Sequence, residues 1–160
     1  MSTYVCSDIH GLKDRYDAMM CMIQPHDHLY ILGDVVDRGP FGTEILWDVM
    51  HREQVTMLLG NHELMMKQYY EAKRNRTHGM LDHIEVMSRW RMNHCDATIK
   101  GFDLLNREQQ KELLDYLDQL PVAICDMQVN DTLYYLVHGY PQTALQEGVI
   151  TQQDALALGY

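Results

Sequence analysis

Gly33 to Pro40 reads GDVVDRGP, and it follows the apolar run Leu29-Tyr30-Ile31-Leu32. A short apolar run closed by glycine reads as a buried strand giving way to a loop. This loop carries two acids, Asp34 and Asp37, and one base, Arg38. Charges at the end of a buried strand are costly unless something pairs with them. A divalent cation pairs with carboxylates, and a phosphate pairs with an arginine. The loop is therefore the first candidate for a metal and phosphate site.

Three other apolar runs end in the same way. Thr3 to Ser7 leads into Asp8-Ile9-His10-Gly11, Val55 to Leu59 into Gly60-Asn61-His62-Glu63, and Leu133 to Val137 into His138-Gly139. In open α/β sheets, sites form at the carboxyl ends of strands. Brought together, Asp8, His10, Asp34, Asn61 and His138 offer two carboxylates, two imidazoles and an amide carbonyl. That oxygen and nitrogen set, without sulfur, suits Mn, Fe or Zn rather than calcium. Two metals sharing Asp34 would clamp an attacking hydroxide. His62, one residue past a ligand, is a natural general acid. Asp37 would set its tautomer, and Arg38 would grip phosphate oxygens in a fork that lysine cannot reproduce. Each piece alone has a simpler reading: Asp8 as a turn cap, Asn61 as a helix N-cap with Glu63 favouring the helix dipole, His138 as a core histidine, Arg38 in a salt bridge to Asp37. Four such ends in one chain favour the site.

Between these ends the pattern alternates. Leu12 to Ile23 has Leu12, Tyr16, Met19, Met20 and Ile23 at helical spacing, and Pro25 ends the helix. Thr43 is the expected cap of a helix bearing Ile45, Leu46, Val49 and Met50. Leu64, Met65 and Tyr69 share a face of a helix starting at GNHE. Glu71 to Gly79 reads as a solvated loop or frayed helix end, and Leu81, Ile84, Met87 and Trp90 as a further helix. Asn106 with Gln109 makes a capping-box variant. Its helix faces inward through Leu113, Leu114, Leu117 and Leu120, and Pro121 stops it. Val122 to Val129 and Leu133 to Val137 read as a strand pair turning at Asn130-Asp131. Thr151 is the expected cap of a last helix.

At 160 residues the chain reads as one domain, 1–160, long enough for a real core. Its formal net charge of -10 argues against nonspecific nucleic-acid binding and against an anionic membrane surface. A phosphorylated substrate stays open, because bound dications reverse the local field. None of Cys6, Cys21, Cys95 and Cys125 lies in a CxxC pair, which argues against a thiolate zinc cluster. With no signal-like start and no apolar run of membrane-spanning length, the expectation is a cytoplasmic protein with reduced thiols. Twelve Met against two Phe suggest methionine as core filler.

SDIHG (Ser7 to Gly11), GDVVDRG (Gly33 to Gly39), GNHE (Gly60 to Glu63) and HG (His138, Gly139) together resemble the metal-dependent phosphoprotein phosphatases of the calcineurin-like metallophosphoesterase superfamily, the bacterial and phage serine/threonine phosphatases above all. The resemblance implies an α/β fold with two facing mixed β-sheets flanked by helices. It implies two divalent metal ions, Mn2+ first with Fe or Zn as alternatives. One would be held by Asp8, His10 and Asp34, and Asp34 would bridge to a second held by Asn61 and His138. It implies His62 as general acid oriented by Asp37, Arg38 and Asn61 on the phosphoryl group, and in-line attack by a metal-bound hydroxide without a phospho-enzyme. The implied substrate is a phosphorylated protein or peptide.

Two departures stand out. In Trp90 to Thr98, WRMNHCDAT, His94 and Cys95 replace a pair of glycines usual in the family. No histidine follows His138 and no arginine follows Arg107, whereas the family continues and supplies another metal-binding histidine. The C-terminal part thus reads as shortened, which fits a fragment of a longer protein, a naturally short form whose second metal is completed by water or another histidine such as His94, or a chain that has lost activity. Two other functions stay in view: a symmetrical diadenosine tetraphosphate hydrolase, and a noncatalytic metal-binding module lacking that late histidine.

Overall fold

Three short parallel strands carry the first three motifs. In the computed structural model, which describes residues 1–74 and 80–139, β1 (Thr3–Cys6), β2 (His28–Ile31) and β3 (Val55–Met57) form one sheet in that order. Pairing is parallel throughout, with Leu29 between Tyr4 and Val55. Parallel neighbours need a crossover, and α1 (Lys13–Met20) and α2 (Gly42–Val49) supply it. All three strands therefore end on the same edge of the sheet. The loops bearing Asp8, Asp34 and Asn61 meet there because of the topology alone.

The other described elements follow this unit. α3 (Asn61–Arg74), α4 (Met80–Met92), α5 (Asp96–Asp103) and α6 (Arg107–Gln119) lead to an antiparallel hairpin of β4 (Ala123–Val129) and β5 (Thr132–Val137). Asn130, at φ +53°, makes the turn, and Val129 pairs with Thr132. The Leu59 main-chain N–H donates to the Pro121 carbonyl at 2.9 Å, which ties the start of the hairpin to the end of β3. That tie is how His138, the residue after β5, comes back to the strand ends. The core runs through Leu29 and Ile31 of β2, Ile45 and Leu46 of α2, Trp90 of α4, and Leu113 and Leu117 of α6, all fully buried. At the N-terminus of α6 the capping box is complete: the Asn106 side chain accepts from Gln109 N–H and the Gln109 side chain from Asn106 N–H.

Several expectations are corrected. Thr43 does not cap α2; its hydroxyl is buried and donates to the Thr98 carbonyl at 3.2 Å, because α5 packs across that end. α1 stops at Met20, buries Tyr16, and leaves Leu12 exposed. Ile84 is exposed on α4 rather than packed. The helix α5 arises in a segment read only as a motif. Methionine fills the core at Met57, Met65 and Met66, but Met22 and Met92 are largely exposed. Glu71 to Arg74 continue α3, while residues 75–79 and the expected helix at Thr151 lie outside the described residues. All four cysteines are free. Among the described residues no helix is long and apolar enough to cross a membrane.

Candidate active site

The strand-end loops nest backbone against backbone, which is why their glycines are there. A Cβ on Gly39 would lie 2.3 Å from the His10 carbonyl oxygen, and one on Gly33, at φ +103°, would lie 2.5 Å from the Gly60 Cα. No side chain fits at either contact. The nesting also twists the polar residues between the glycines. Asp8, His10, Asp34, Asp37 and Arg38 all adopt positive φ, from 46° to 69°. Each such residue costs on the order of 1–3 kcal/mol, and such strain collects at functional sites.

Asp34 is the hub. Its Oδ1 accepts from the His62 main-chain N–H at 3.1 Å. Its Oδ2 lies 3.8 Å from His10 Nε2, 3.8 Å from His62 Nε2 and 3.3 Å from His138 Nε2. Burial raises the Asp34 pKa, but the bonds from His138 and the His62 N–H outweigh it and hold the carboxyl below its usual range. His138 is raised in return, chiefly by its bond to Asp34, against burial.

His10 donates its Nδ1–H to the Val36 carbonyl at 2.9 Å. A carbonyl only accepts, so the Nε2 lone pair is fixed on the other side. That Nε2 is buried without a hydrogen-bond partner among the described residues, and it faces Asp8 Oδ1 at 3.5 Å as well as Asp34. A lone pair aimed at two carboxylates is repulsive unless a cation lies between them. On the other side of Asp34, His138 Nε2 is 2.9 Å from Asn61 Oδ1. Donors about 2.0–2.2 Å from one ion lie about 3–3.5 Å apart, so the pairs at 2.9, 3.3 and 3.5 Å suit metal binding. The fold thus gathers Asp8, His10, Asp34, Asn61 and His138 in two sets that share Asp34. His10, Asp34 and His62 form a trio whose ligand atoms all lie within 4.8 Å of one another.

Asp37 is fully buried and its carboxylate accepts three hydrogen bonds. Its Oδ2 accepts from His62 Nδ1 and from Trp90 Nε1, both at 2.7 Å, and its Oδ1 from the Thr98 hydroxyl at 2.6 Å. Thr98 Oγ1 in turn accepts the Asp37 N–H at 2.8 Å. Asp37 therefore orients His62, and it makes no ion pair with Arg38. The salt-bridge reading of Arg38 fails: its side chain is exposed and makes no ion pair among the described residues. Glu63 also differs from expectation. It is fully buried and its carboxylate accepts the N–H groups of Asp34, Val35, Val36 and Gly60 at 2.7, 2.8, 3.0 and 3.2 Å. Burial and the Asp34 charge push it up to about 7, with the backbone donors pulling the other way. Glu63, Trp90 and Thr98 are supporting residues that sequence reasoning did not assign. Their signals are the last letter of GNHE and the Trp and Thr that bound WRMNHCDAT.

His94 is not among the gathered ligands. It sits past the end of α4 at φ +61°, its N–H bonded to the Arg91 carbonyl, and its own carbonyl accepts the Arg38 N–H at 3.1 Å. That is the left-handed helix terminus that glycine favours. His94→Gly should raise stability by about 1 kcal/mol, a gain of about 2–4 °C in Tm. A thermal melt that shows no rise would mean that the imidazole makes compensating contacts.

A parallel sheet with carboxylates and imidazoles gathered at one edge makes a candidate metal centre. The chain belongs to the calcineurin-like phosphoesterases, whose family model matches residues 1–155. It is 31% identical over 128 residues to the symmetrical bis(5'-nucleosyl)-tetraphosphatase of Chromobacterium violaceum, covering 78% of this chain and 39% of that one. It is 28% identical over 165 positions to the protein of the same name from Delftia acidovorans, covering 99% and 49%. These relatives do not carry the name of serine/threonine phosphatases. A cold-active protein tyrosine phosphatase shares the fold at TM-score 0.51 and 19% identity, over 97% of this chain and 49% of that chain. The chain spans half or less of the length of these curated relatives.

Proposed function

We propose that this chain carries the catalytic core of a symmetrical dinucleoside tetraphosphate hydrolase, using water to split the substrate into two nucleoside diphosphates. The observation that carries the metal chemistry is the His10 Nε2 lone pair, buried and aimed at Asp8 and Asp34. The names of the curated relatives favour a dinucleotide over a phosphorylated protein or peptide.

Asp8, His10 and Asp34 would hold one divalent ion, and Asp34, Asn61 and His138 the second. The oxygen and nitrogen donors suit Mn2+, with Fe or Zn as alternatives. Bound there, the ions supply an activated water and offset charge on the phosphoryl oxygens. The chain's own groups do the rest. Arg38, exposed and without an ion pair among the described residues, grips two phosphoryl oxygens in its fork. Asn61 offers its amide N–H to a third, its Oδ1 being turned to His138. His62, held through Nδ1 by Asp37, gives a proton from Nε2 to the oxygen that leaves phosphorus. The water oxygen bonds to phosphorus as the phosphoanhydride bond breaks.

The test is hydrolysis of diadenosine tetraphosphate by the Mn-loaded 160-residue chain, with and without a chelator, beside a phosphoserine peptide. ADP as the sole nucleotide product, lost on chelation, is the expected result. Faster turnover of the peptide than of the dinucleotide would refute the substrate class.

A further inference from the structure

A groove of about 410 Å³ opens beside the candidate active site. Asn61 and His138 form its near end, so it is continuous with the metal centre. Its floor is Leu64 and Met65 on the next turn of α3, both more than nine-tenths buried. Its far rim is polar. Arg89 on α4 donates to the Gln68 side chain on α3, and both line the groove. Just past the end of α4, Asn93 gives its amide N–H to the Arg89 carbonyl at 2.9 Å and to Met65 Sδ at 3.6 Å.

A phosphate at the metal centre needs no such groove. An apolar floor with a polar rim matches a nucleobase, which has an apolar face and a polar edge. Polarizable Met65 suits an aromatic face. Arg89 is a fixed cation on a chain of net charge -10, and a guanidinium reads phosphate bidentately. We propose that this groove binds the departing nucleoside diphosphate, with its base over Leu64 and Met65, and that Arg89 selects a nucleotide over a simple phosphate. The proposal rests on the dinucleotide reading above, but its test does not require that reading.

ADP and inorganic phosphate are titrated calorimetrically into the Mn-loaded 160-residue chain, as wild type, Arg89→Ala and Arg89→Lys. Wild type should bind ADP more tightly than phosphate. Arg89→Ala should raise the Kd for ADP at least about tenfold relative to that for phosphate, and Arg89→Lys should recover only part of this. An ADP-to-phosphate ratio unchanged by Arg89→Ala would overturn the proposal. So would tighter, Arg89-dependent binding of a phosphoserine peptide than of ADP. If ADP binding depends on Arg89 while diadenosine tetraphosphate is not cleaved, the groove assignment stands and the proposed substrate falls.

Discussion

Replacing His62 with Asn should lower turnover by about 100- to 10,000-fold on an alkyl phosphate, and by at least about tenfold less on diadenosine tetraphosphate. The difference follows from the leaving group. An alkoxide is nearly as basic as hydroxide, whose parent water has a pKa of about 15.7, and it needs a proton as it departs. A nucleoside diphosphate leaves through a phosphate oxygen whose conjugate acid titrates at about 6, so it departs as a stable anion near pH 7. His62 has the geometry for proton donation: Nδ1 is tied to Asp37 at 2.7 Å, and Nε2 faces Asp34 across 3.8 Å. The check is kcat on both substrates together with metal content by elemental analysis. Metal content should stay within error of wild type. Its loss would make His62 a ligand, since it belongs to the trio with His10 and Asp34. An equal loss of kcat on both substrates would instead mean that the imidazole orients the phosphoryl group.

The strand ends were legible because each apolar run stops at a residue of ligand type beside a glycine, a pattern that needs no tertiary information. The parallel order of β1 to β3 then brings three of the four ends together without further instruction. What stayed hidden depends on partners far along the chain. Glu63 contacts main-chain N–H groups 29, 28 and 27 residues away, and a backbone donor leaves no trace in the sequence. Thr43 looked like a cap because capping preference is local, whereas its actual partner, the Thr98 carbonyl, lies 55 residues on. α5 buries just Thr98 and Phe102, too few for an apolar stripe. The partners of Asp37 are three distant donors, from His62, Trp90 and Thr98, whereas the salt bridge to adjacent Arg38 that the sequence suggests is local and does not form.

Glu63→Ala should destabilise the chain by at least about 3 kcal/mol, because it strips the acceptor from buried N–H donors at a cost of about 1–3 kcal/mol each. Those donors belong to Asp34, Val35, Val36 and Gly60. The first three lie in a loop that holds Asp34, Asp37 and Arg38 at positive φ, so the carboxylate also opposes the relaxation of that strain. A Tm drop of about 6–12 °C corresponds to this loss. Glu63→Gln keeps one acceptor oxygen but turns an amide N–H2 toward backbone N–H groups that also donate, so its stability should fall between wild type and Ala. Denaturant midpoints of the three proteins give the order directly. A loss below about 1 kcal/mol for Ala would mean that water replaces the carboxylate at little cost, and that the glycine nesting at Gly33 and Gly39 holds the loop alone. If the carboxylate is the clamp, the penalty should appear without metal, since the four donors bond Glu63 and not an ion. The fourth letter of GNHE would then serve to shape the centre, leaving its chemistry to Asn61 and His62.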